Sequence, residues 1–272
     1  MPTPPPARQR QRLAERRRQQ QRLLAGSAIA LVVVVVAVLV IIKVTGGSGP
    51  SASASGRPYA RTPLAAADYD KLTAVSPKVL AAAADNFQTG YPKPRAVRAT
   101  PLRSDGKPDV LYIGAEFCPY CAAERWALAI ALSKFGTFRH LRTIHSARDD
   151  GYLPTLTFYG STYTSRYLTF TPIEDETDTQ APLEKPNAAQ QKLWNTYTPN
   201  NFPFVDLGGK AVITAAGYNG TLLSGKTPQQ AIDQISDGSS TLASNVDATA
   251  GAIVSYLCRL TGNQPAGVCS AG

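Results

Sequence analysis

The sequence is poor in charged residues and in side chains that bind metals. Charged residues make up 17% of the 272 residues, and the chain has 2 His and 4 Cys. The 21 Gly, the 21 Pro and the hydrophobic content of 43% exclude a collagen-like repeat, a fully disordered chain and a membrane protein with many spans. The length suits one globular domain with appendages, or two small domains.

The excess of positive charge is confined to one end of the chain. The formal net charge is +9, and residues 1–22 hold seven Arg and one Glu. The chain after Lys43 has 20 basic and 18 acidic residues, which is close to balance. The pattern therefore does not indicate a basic folded surface, and nucleic acid becomes a minor hypothesis as a partner.

A long apolar segment follows the Arg cluster. Residues 23–42 contain no charged side chain, and Ile29–Ile42 is an unbroken aliphatic run. A helix of 20 residues is about 30 Å long, which matches the hydrocarbon core of a bilayer. One alternative is a buried strand or core helix, but 14 consecutive aliphatic residues suit neither. A second is a cleaved signal peptide, because Ala52-Ser53-Ala54 resembles a cleavage site, but the apolar run is too long and lies too far upstream. We therefore predict an uncleaved transmembrane helix over residues 23–44.

The charge asymmetry around this helix predicts its orientation in the cell membrane. Seven Arg before the span and the single Lys43 after it place the N-terminus in the cytoplasm. Residues 1–22 are then predicted to be a disordered cytoplasmic segment whose Arg side chains favour anionic lipid head groups. Residues 45–62, rich in Gly, Ser and Pro, are predicted as a flexible linker. Residues 63–272 are predicted as one extracytoplasmic domain.

Residues 63–272 alternate between strand and helix patterns. Ser76-Pro77 marks a break between helical stretches, Gly208-Gly209 indicates a hairpin, and Thr227 to Gln230 is a capping box. The predicted strands are residues 109–115, 141–146, 155–159, 163–170, 204–207 and 211–215, and the predicted helices are residues 64–85, 122–135, 183–197, 227–236 and 246–260. This order describes an α/β domain with a mixed sheet.

The motif Cys118-Pro119-Tyr120-Cys121 lies where a predicted strand gives way to a predicted helix. The free N–H groups and the positive end of the helix dipole stabilise a thiolate at such a position. We therefore predict that Cys118, the more exposed of the pair, is a nucleophile of low pKa. Cys121 would be buried and would resolve the mixed disulfide, and Pro119 would begin the helix.

A zinc site and a structural disulfide are the other interpretations of this motif. A zinc site needs two more ligands at suitable spacing, and the chain offers only His140, His145 and two cysteines that are 11 residues apart. Redox chemistry without a metal is therefore favoured. Glu116, Glu124 or Arg125 could relay the proton that Cys121 must lose, and the residues do not decide between them.

The strand, the Cys-Pro-Tyr-Cys motif and the helix resemble the active site of the thioredoxin superfamily, and the motif matches that of glutaredoxins. Residues 201–209, reading NFPFVDLGG, are similar to the strand that faces this active site, which implies a cis bond before Pro203. The long interval between Cys121 and Pro203 can hold a helical insertion and resembles secreted Dsb-type thiol oxidoreductases. The Dsb oxidants commonly carry His where this chain has Tyr120, and residues 110–115 offer no counterpart of the acidic residue that thioredoxins bury.

Three longer segments most closely resemble the domain-of-unknown-function family 929, whose members are membrane-anchored and thioredoxin-like. The segments read AEFCPYCAAERWALAIALSKFGTF, TLTFYGSTYTSRYLTF and CRLTGNQPAGVC. The resemblance implies a thioredoxin-like mixed sheet with a helical insertion and no cofactor. It implies the catalytic residues Cys118, Cys121 and Pro203, with Pro119, Tyr120, Glu116, Glu124 and Phe202 in support.

A second cysteine pair, Cys258 and Cys269, spans the end of the last predicted helix and a loop rich in Gly and Pro. In an oxidising compartment a structural disulfide is the simpler interpretation. A relay that exchanges electrons with Cys118 and Cys121 is the alternative. We favour the structural role, because neither cysteine opens a helix.

These features together predict a membrane-anchored thiol–disulfide oxidoreductase that acts on cysteines of exported proteins. A membrane redox partner is a further expectation. One competing class is a non-enzymatic thioredoxin-like scaffold or binding module in which both cysteine pairs are structural. Another is a reductase or peroxidase-like enzyme that is fed by a membrane electron donor. The sequence leaves the direction of electron flow and the substrate open.

Overall fold

The computed structural model describes residues 59–271. The predicted cytoplasmic segment, the predicted transmembrane helix and residues 45–58 of the predicted linker lie outside this range. Among the helices of residues 59–271, none is long and apolar enough to cross a membrane. The described residues belong to one compact unit of the chain.

Strands and helices are interspersed along the described residues, which confirms the predicted α/β class. The strands are β1 Thr62–Pro63, β2 Arg95–Ala96, β3 Arg103–Ser104, β4 Lys107–Gly114, β5 Gly136–Arg139, β6 Arg142–His145, β7 Pro154–Thr157, β8 Thr162–Ser165, β9 Thr169–Glu174, β10 Phe204–Leu207 and β11 Ala211–Ile213. The helices are α1 Ala66–Leu72, α2 Pro77–Ala83, α3 Pro119–Ser133, α4 Ala188–Tyr197, α5 Pro228–Asp237, α6 Thr241–Leu260 and α7 Ala266–Cys269, with short 3₁₀ turns at Arg148–Asp150 and Gly220–Leu223.

The central sheet is mixed, as predicted, and β4 lies within it. β4 pairs antiparallel with β10, and β10 pairs antiparallel with β11 across the expected hairpin. β4 also pairs in parallel with β9, with Val110 opposite Phe170 and Ile113 opposite Ile173. Two smaller sheets join β1, β6 and β7, and β5 with β8. The apolar run of β4 is buried from Asp109 to Gly114 because neighbours cover it.

Local capping signals set several helix starts. The Ser76 Oγ accepts a hydrogen bond from the N–H of Val79, and α2 begins at the next residue, Pro77. The Thr227 Oγ1 accepts from the N–H of Gln230, and this capping box opens α5. Both signals were predicted, since a hydroxyl at this position satisfies a free N–H of the first turn.

Three of the predicted element boundaries are wrong. The helix predicted from residue 183 begins at Ala188, because Asn187 caps it. Residues 163–170 do not form one strand, because the Ser165 Oγ donates to the carbonyl of Phe135 and accepts from the N–H of Tyr167, which ends β8. The chain then resumes as β9 and runs on to Glu174. The last long helix begins at Thr241 rather than Val246, since Ser240 caps it through the N–H of Ala243.

Helix α3 forms the centre of the core. Every residue from Cys121 to Leu132 is buried, because α3 packs against β7 on one side and against α6 on another. The indole N–H of Trp126 donates to the carbonyl of Pro154 at 3.1 Å, which satisfies its one polar atom. A helix that is covered all round is held rigidly, so the residues at its N-terminus are fixed in position.

Candidate active site

The Cys-Pro-Tyr-Cys motif lies at the start of α3, directly after the loop that follows β4. Cys118 is the N-cap residue and Pro119 is the first residue of the helix, as predicted. The Cys118 sulfur accepts a hydrogen bond from the N–H of Cys121 at 3.3 Å. Cys118 is 4% exposed and Cys121 is 0% exposed, and neither forms a disulfide. Cys118 is therefore the more exposed of the two, as predicted, although it is itself almost fully buried.

The two thiols have unlike electrostatic surroundings. The hydrogen bond with the Cys121 side chain holds the pKa of Cys118 below its usual value, helped by the N–H of Cys121 and the charge of Arg125, while burial opposes it. Burial raises the pKa of Cys121 well above its usual value, and the hydrogen bond and charge of Cys118 act in the same direction. Of the two, Cys118 is thus the thiol that ionises first.

The segment before β10 lies beside the Cys118 sulfur. The Phe202–Pro203 peptide bond is cis, as the family resemblance implied. The Cys118 sulfur is 4.0 Å from the carbonyl oxygen of Phe202, in a thiol-to-carbonyl hydrogen bond. The ring of Phe202 stacks on Trp194 of α4, and the indole N–H of Trp194 donates to the carbonyl of Asn201 at 2.8 Å. Helix α4 therefore holds this segment against the motif.

Aromatic side chains surround the motif at the surface. Tyr120 is 61% exposed, which is high for a large apolar side chain. Phe117 meets Phe202 edge to face, with ring centroids 6.0 Å apart, and both pack on the small cluster formed by Ala115, Cys118 and Cys121. Tyr120, Phe117 and Phe202 therefore form an apolar rim beside the two cysteines.

The predicted proton-relay residues Glu116 and Glu124 bind groups other than the two thiols. Glu116 accepts hydrogen bonds from the guanidinium of Arg61 at 2.7 and 2.6 Å and from the hydroxyl of Thr157 at 2.7 Å. Glu124 accepts from the N–H of Gly217 at 3.2 Å, and burial raises its pKa to about 8. Within residues 59–271 neither carboxylate has a hydrogen bond to Cys118 or Cys121.

The fully buried ion pair between Arg125 and Glu174 lies beneath the motif. Arg125 was among the predicted candidates, but Glu174 was not. The guanidinium of Arg125 binds the carboxylate of Glu174 through two hydrogen bonds, of 2.9 and 2.6 Å. It also donates to the carbonyl of Ala115 at 2.7 Å. Glu174 ends β9 beside β4, and no local sequence pattern identifies it as the partner of Arg125.

A family model described as a domain of unknown function (DUF929) matches residues 93–259. The chain belongs to the DUF929 family. No curated protein matches the chain significantly, and no solved structure does. The region matched to DUF929 contains Cys118, Cys121, the cis Pro203 and the Arg125–Glu174 pair.

The DUF929 match includes Cys258 but ends before Cys269. These two cysteines form a disulfide with a Cα–Cα distance of 5.4 Å, joining α6 to α7. The disulfide packs on the main hydrophobic core, whereas Cys118 and Cys121 belong to a different cluster. Among the described residues, no three His, Cys, Asp or Glu side chains are grouped so that they could hold a metal ion.

Proposed function

We propose that the protein is a membrane-anchored thiol–disulfide oxidoreductase with a thioredoxin-like domain, acting on cysteines of exported proteins. The observation that carries the proposal is the unequal pair at the start of α3. Cys118 caps the helix and has a lowered pKa, whereas Cys121 is fully buried and has a raised pKa. A nucleophilic thiolate beside a protonated resolving thiol is what stepwise thiol–disulfide exchange requires.

The thioredoxin-like assignment is supported by the connections around the site. A buried strand, β4, leads through the Cys-Pro-Tyr-Cys turn into the central helix α3. A cis proline precedes β10, which pairs antiparallel with β4 and forms a hairpin with β11. This supports the resemblance that the sequence alone suggests.

The exchange has two steps, here written for a reduced protein. The Cys118 thiolate attacks one sulfur of a substrate disulfide, so that a Cys118–substrate disulfide forms and the other substrate sulfur leaves as a thiolate. Cys121 then gives up its proton and attacks the Cys118 sulfur, which closes the Cys118–Cys121 disulfide and releases the second substrate thiolate. Two electrons pass from the protein to the substrate, and the reverse sequence oxidises a substrate dithiol.

Trapping of the mixed disulfide tests this proposal. In the full chain in detergent, Cys121→Ala should accumulate covalent complexes with a peptide disulfide, since no resolving thiol remains. The complexes should dissolve on reduction and be absent in Cys118→Ala. The matched control is Cys258→Ser with Cys269→Ser, which should turn over normally. A folded Cys121→Ala variant that forms no complex would favour the scaffold alternative instead.

The membrane topology is a separate part of the proposal and has its own test. Protease added outside intact cells should remove the domain beyond residue 63 and leave a tag placed before Arg8 protected. This outcome follows from the excess of Arg on the N-terminal side of the apolar segment. A tag digested from outside would reverse the orientation and remove the argument that the cysteines face an oxidising compartment.

A further inference from the structure

The buried ion pair under the Cys-Pro-Tyr-Cys turn contacts the turn through one backbone carbonyl. Arg125 lies four residues after Cys121, so both side chains project from one face of α3, one turn apart. Arg125 and Glu174 are each 0% exposed. The carbonyl of Ala115 accepts a hydrogen bond from the Arg125 Nη2 at 2.7 Å and also accepts the N–H of Cys118 at 3.2 Å. One carbonyl oxygen therefore links the guanidinium to the turn that holds Cys118.

The guanidinium is not fully satisfied by its partners. Its Nη1 is buried and has no hydrogen-bond partner within the described residues. The hydroxyl of Tyr112, on the neighbouring strand β4, is also buried and without a partner, and its ring centroid lies 5.9 Å from the Arg125 Cζ. A positive charge thus lies in a buried region, with one donor unpaired among the described residues, where its field is weakly screened.

Glu174 fixes this cation from the opposite side. Its Oε1 accepts from the Arg125 Nε and from the N–H of Phe158 at 3.1 Å, and its own N–H donates to Glu184 at 2.8 Å. The remaining carboxylates near the turn are directed elsewhere, since Glu116 binds Arg61 and Thr157 and Glu124 faces Gly217. The charge of Arg125, offset by that of Glu174, therefore acts on both sulfurs.

We propose that the Arg125–Glu174 pair sets the dithiol–disulfide equilibrium of Cys118 and Cys121, with the guanidinium favouring the reduced pair and the carboxylate opposing it. This inference rests on the proposed exchange reaction. When the protein disulfide accepts two electrons from a substrate dithiol, the products are a Cys118 thiolate, a protonated Cys121, a substrate disulfide and one proton. The disulfide form is neutral and the reduced form is anionic, so a nearby buried cation stabilises the reduced form.

The pKa values of the two cysteines agree with this geometry. The charge of Arg125 lowers the pKa of Cys118 and also opposes the rise in the pKa of Cys121. It similarly opposes the rise in the pKa of Tyr112. The guanidinium therefore affects the pKa of all three groups, Cys118, Cys121 and Tyr112. Arg125 is a positioning residue that supplies a charge, not a catalytic residue.

Substitutions of opposite sign separate this role from a merely structural one. In the full chain in detergent, Arg125→Met should raise the pKa of Cys118, measured from the pH dependence of its alkylation by iodoacetamide. Glu174→Gln should lower that pKa, because the cation loses its counter-charge but keeps a hydrogen-bond acceptor. Both substitutions should lower the free energy of unfolding. They should change the pKa of Cys118 and the equilibrium with glutathione in opposite directions. Above the pKa of Cys118, where the reduced form is a thiolate, a shift of one pKa unit corresponds to about a tenfold change in that equilibrium constant.

The matched control is Lys134→Met, on the same helix. Lys134 is a partly buried cation whose Nζ donates to the carbonyl of Thr73, and it lies 13 residues after Cys121, about 20 Å along α3. Its removal should leave the Cys118 pKa and the glutathione equilibrium unchanged. A shift in Lys134→Met equal to that in Arg125→Met would overturn the proposal.

The test does not depend on any one variant folding. Removing one partner of a buried pair leaves an uncompensated charge, so Arg125→Met can fail to fold. Glu174→Gln and the double variant Arg125→Met with Glu174→Gln then supply the measurement, and the double variant should lie between the single ones. An unchanged Cys118 pKa and glutathione equilibrium in the folded variants would overturn the inference. Alkylation needs no protein substrate. If the chain never exchanges with substrates, the proposed function is refuted, but the pKa of Cys118 still tests the role of Arg125.

Discussion

Glu124 offers a sharp test of how burial controls ionisation in this fold. Its side chain is fully buried on α3, its Oε2 accepts one hydrogen bond from the N–H of Gly217, and its Oε1 has no partner among the described residues. Burial raises its pKa from 4.5 to about 8, and the hydrogen bond from Gly217 opposes only part of that rise. Glu124→Gln removes the titration and keeps a carbonyl oxygen that can accept from Gly217.

The direction in which pH changes the free energy of unfolding depends on whether the folded or the unfolded chain binds the Glu124 proton. Between pH 4.5 and about pH 8 the folded protein keeps the Glu124 proton, whereas the unfolded chain has released it. The free energy of unfolding therefore falls as pH rises, by about 1.4 kcal/mol per pH unit. At pH 7 this cost is on the order of 3 kcal/mol, and it levels off above the folded pKa. Glu124→Gln should consequently be almost neutral near pH 4.5 and stabilising at pH 7.

Urea unfolding of a fragment covering residues 54–272, followed by tryptophan fluorescence from pH 5 to pH 8, measures this difference. The disulfide should be kept intact by omitting reductant. The matched control is Asp85→Asn, which removes one negative charge at an exposed position of the same unit. The control should shift stability equally at every pH. If the parent and Glu124→Gln show the same pH slope, Glu124 is ionised in the folded protein and the burial argument is wrong.

Two further predictions concern the Cys258–Cys269 disulfide and the contact of Trp194 with the segment beside Cys118. Replacing both Cys258 and Cys269 by Ser should lower the free energy of unfolding by about 3 kcal/mol, because their link closes a short loop. Urea unfolding measures the loss of stability, and insulin reduction measures exchange, which should be unchanged. Loss of exchange in a folded variant would show that the pair is a relay. Trp194→Ala should cost about 3–5 kcal/mol and slow exchange, because Trp194 holds Asn201 and Phe202 beside Cys118. Trp194→Phe keeps the stacking and is the control, and an unchanged exchange rate in Trp194→Ala would disprove this role.

The features that could be predicted from the sequence have local causes. The Ser76 cap, the Thr227 capping box and the Gly208-Gly209 hairpin are each decided by hydrogen bonds or backbone angles within a few residues. The position of Cys118 at the start of α3 has the same kind of cause, since a buried strand ends and a proline begins the helix. These features can be predicted because they do not depend on tertiary contacts.

The features that could not be predicted depend on long-range pairing. Residues 163–170 look continuous as a strand pattern, and only the bonds from Ser165 to Phe135 and Tyr167 show that β8 must end there. The parallel pairing of β9 with β4 then brings Glu174 to Arg125, 49 residues away in sequence. No local pattern marks a carboxylate that is destined for a buried ion pair, because its partner lies on another element.

Helical geometry explains why two adjacent charged residues of α3 have different environments. Successive side chains project about 100° apart around a helix, so Glu124 is directed to Gly217 while Arg125 is directed to Ala115 and Glu174. Glu124 therefore meets no counter-charge and holds its proton to about pH 8, whereas Arg125 retains its charge beneath the cysteines. A carboxylate in the place of Arg125 would raise the pKa of Cys118 rather than lower it. The buried cation thus adds to the hydrogen bonds from Cys121 in lowering the pKa of Cys118, and positions 124 and 125 differ because they face different partners around α3.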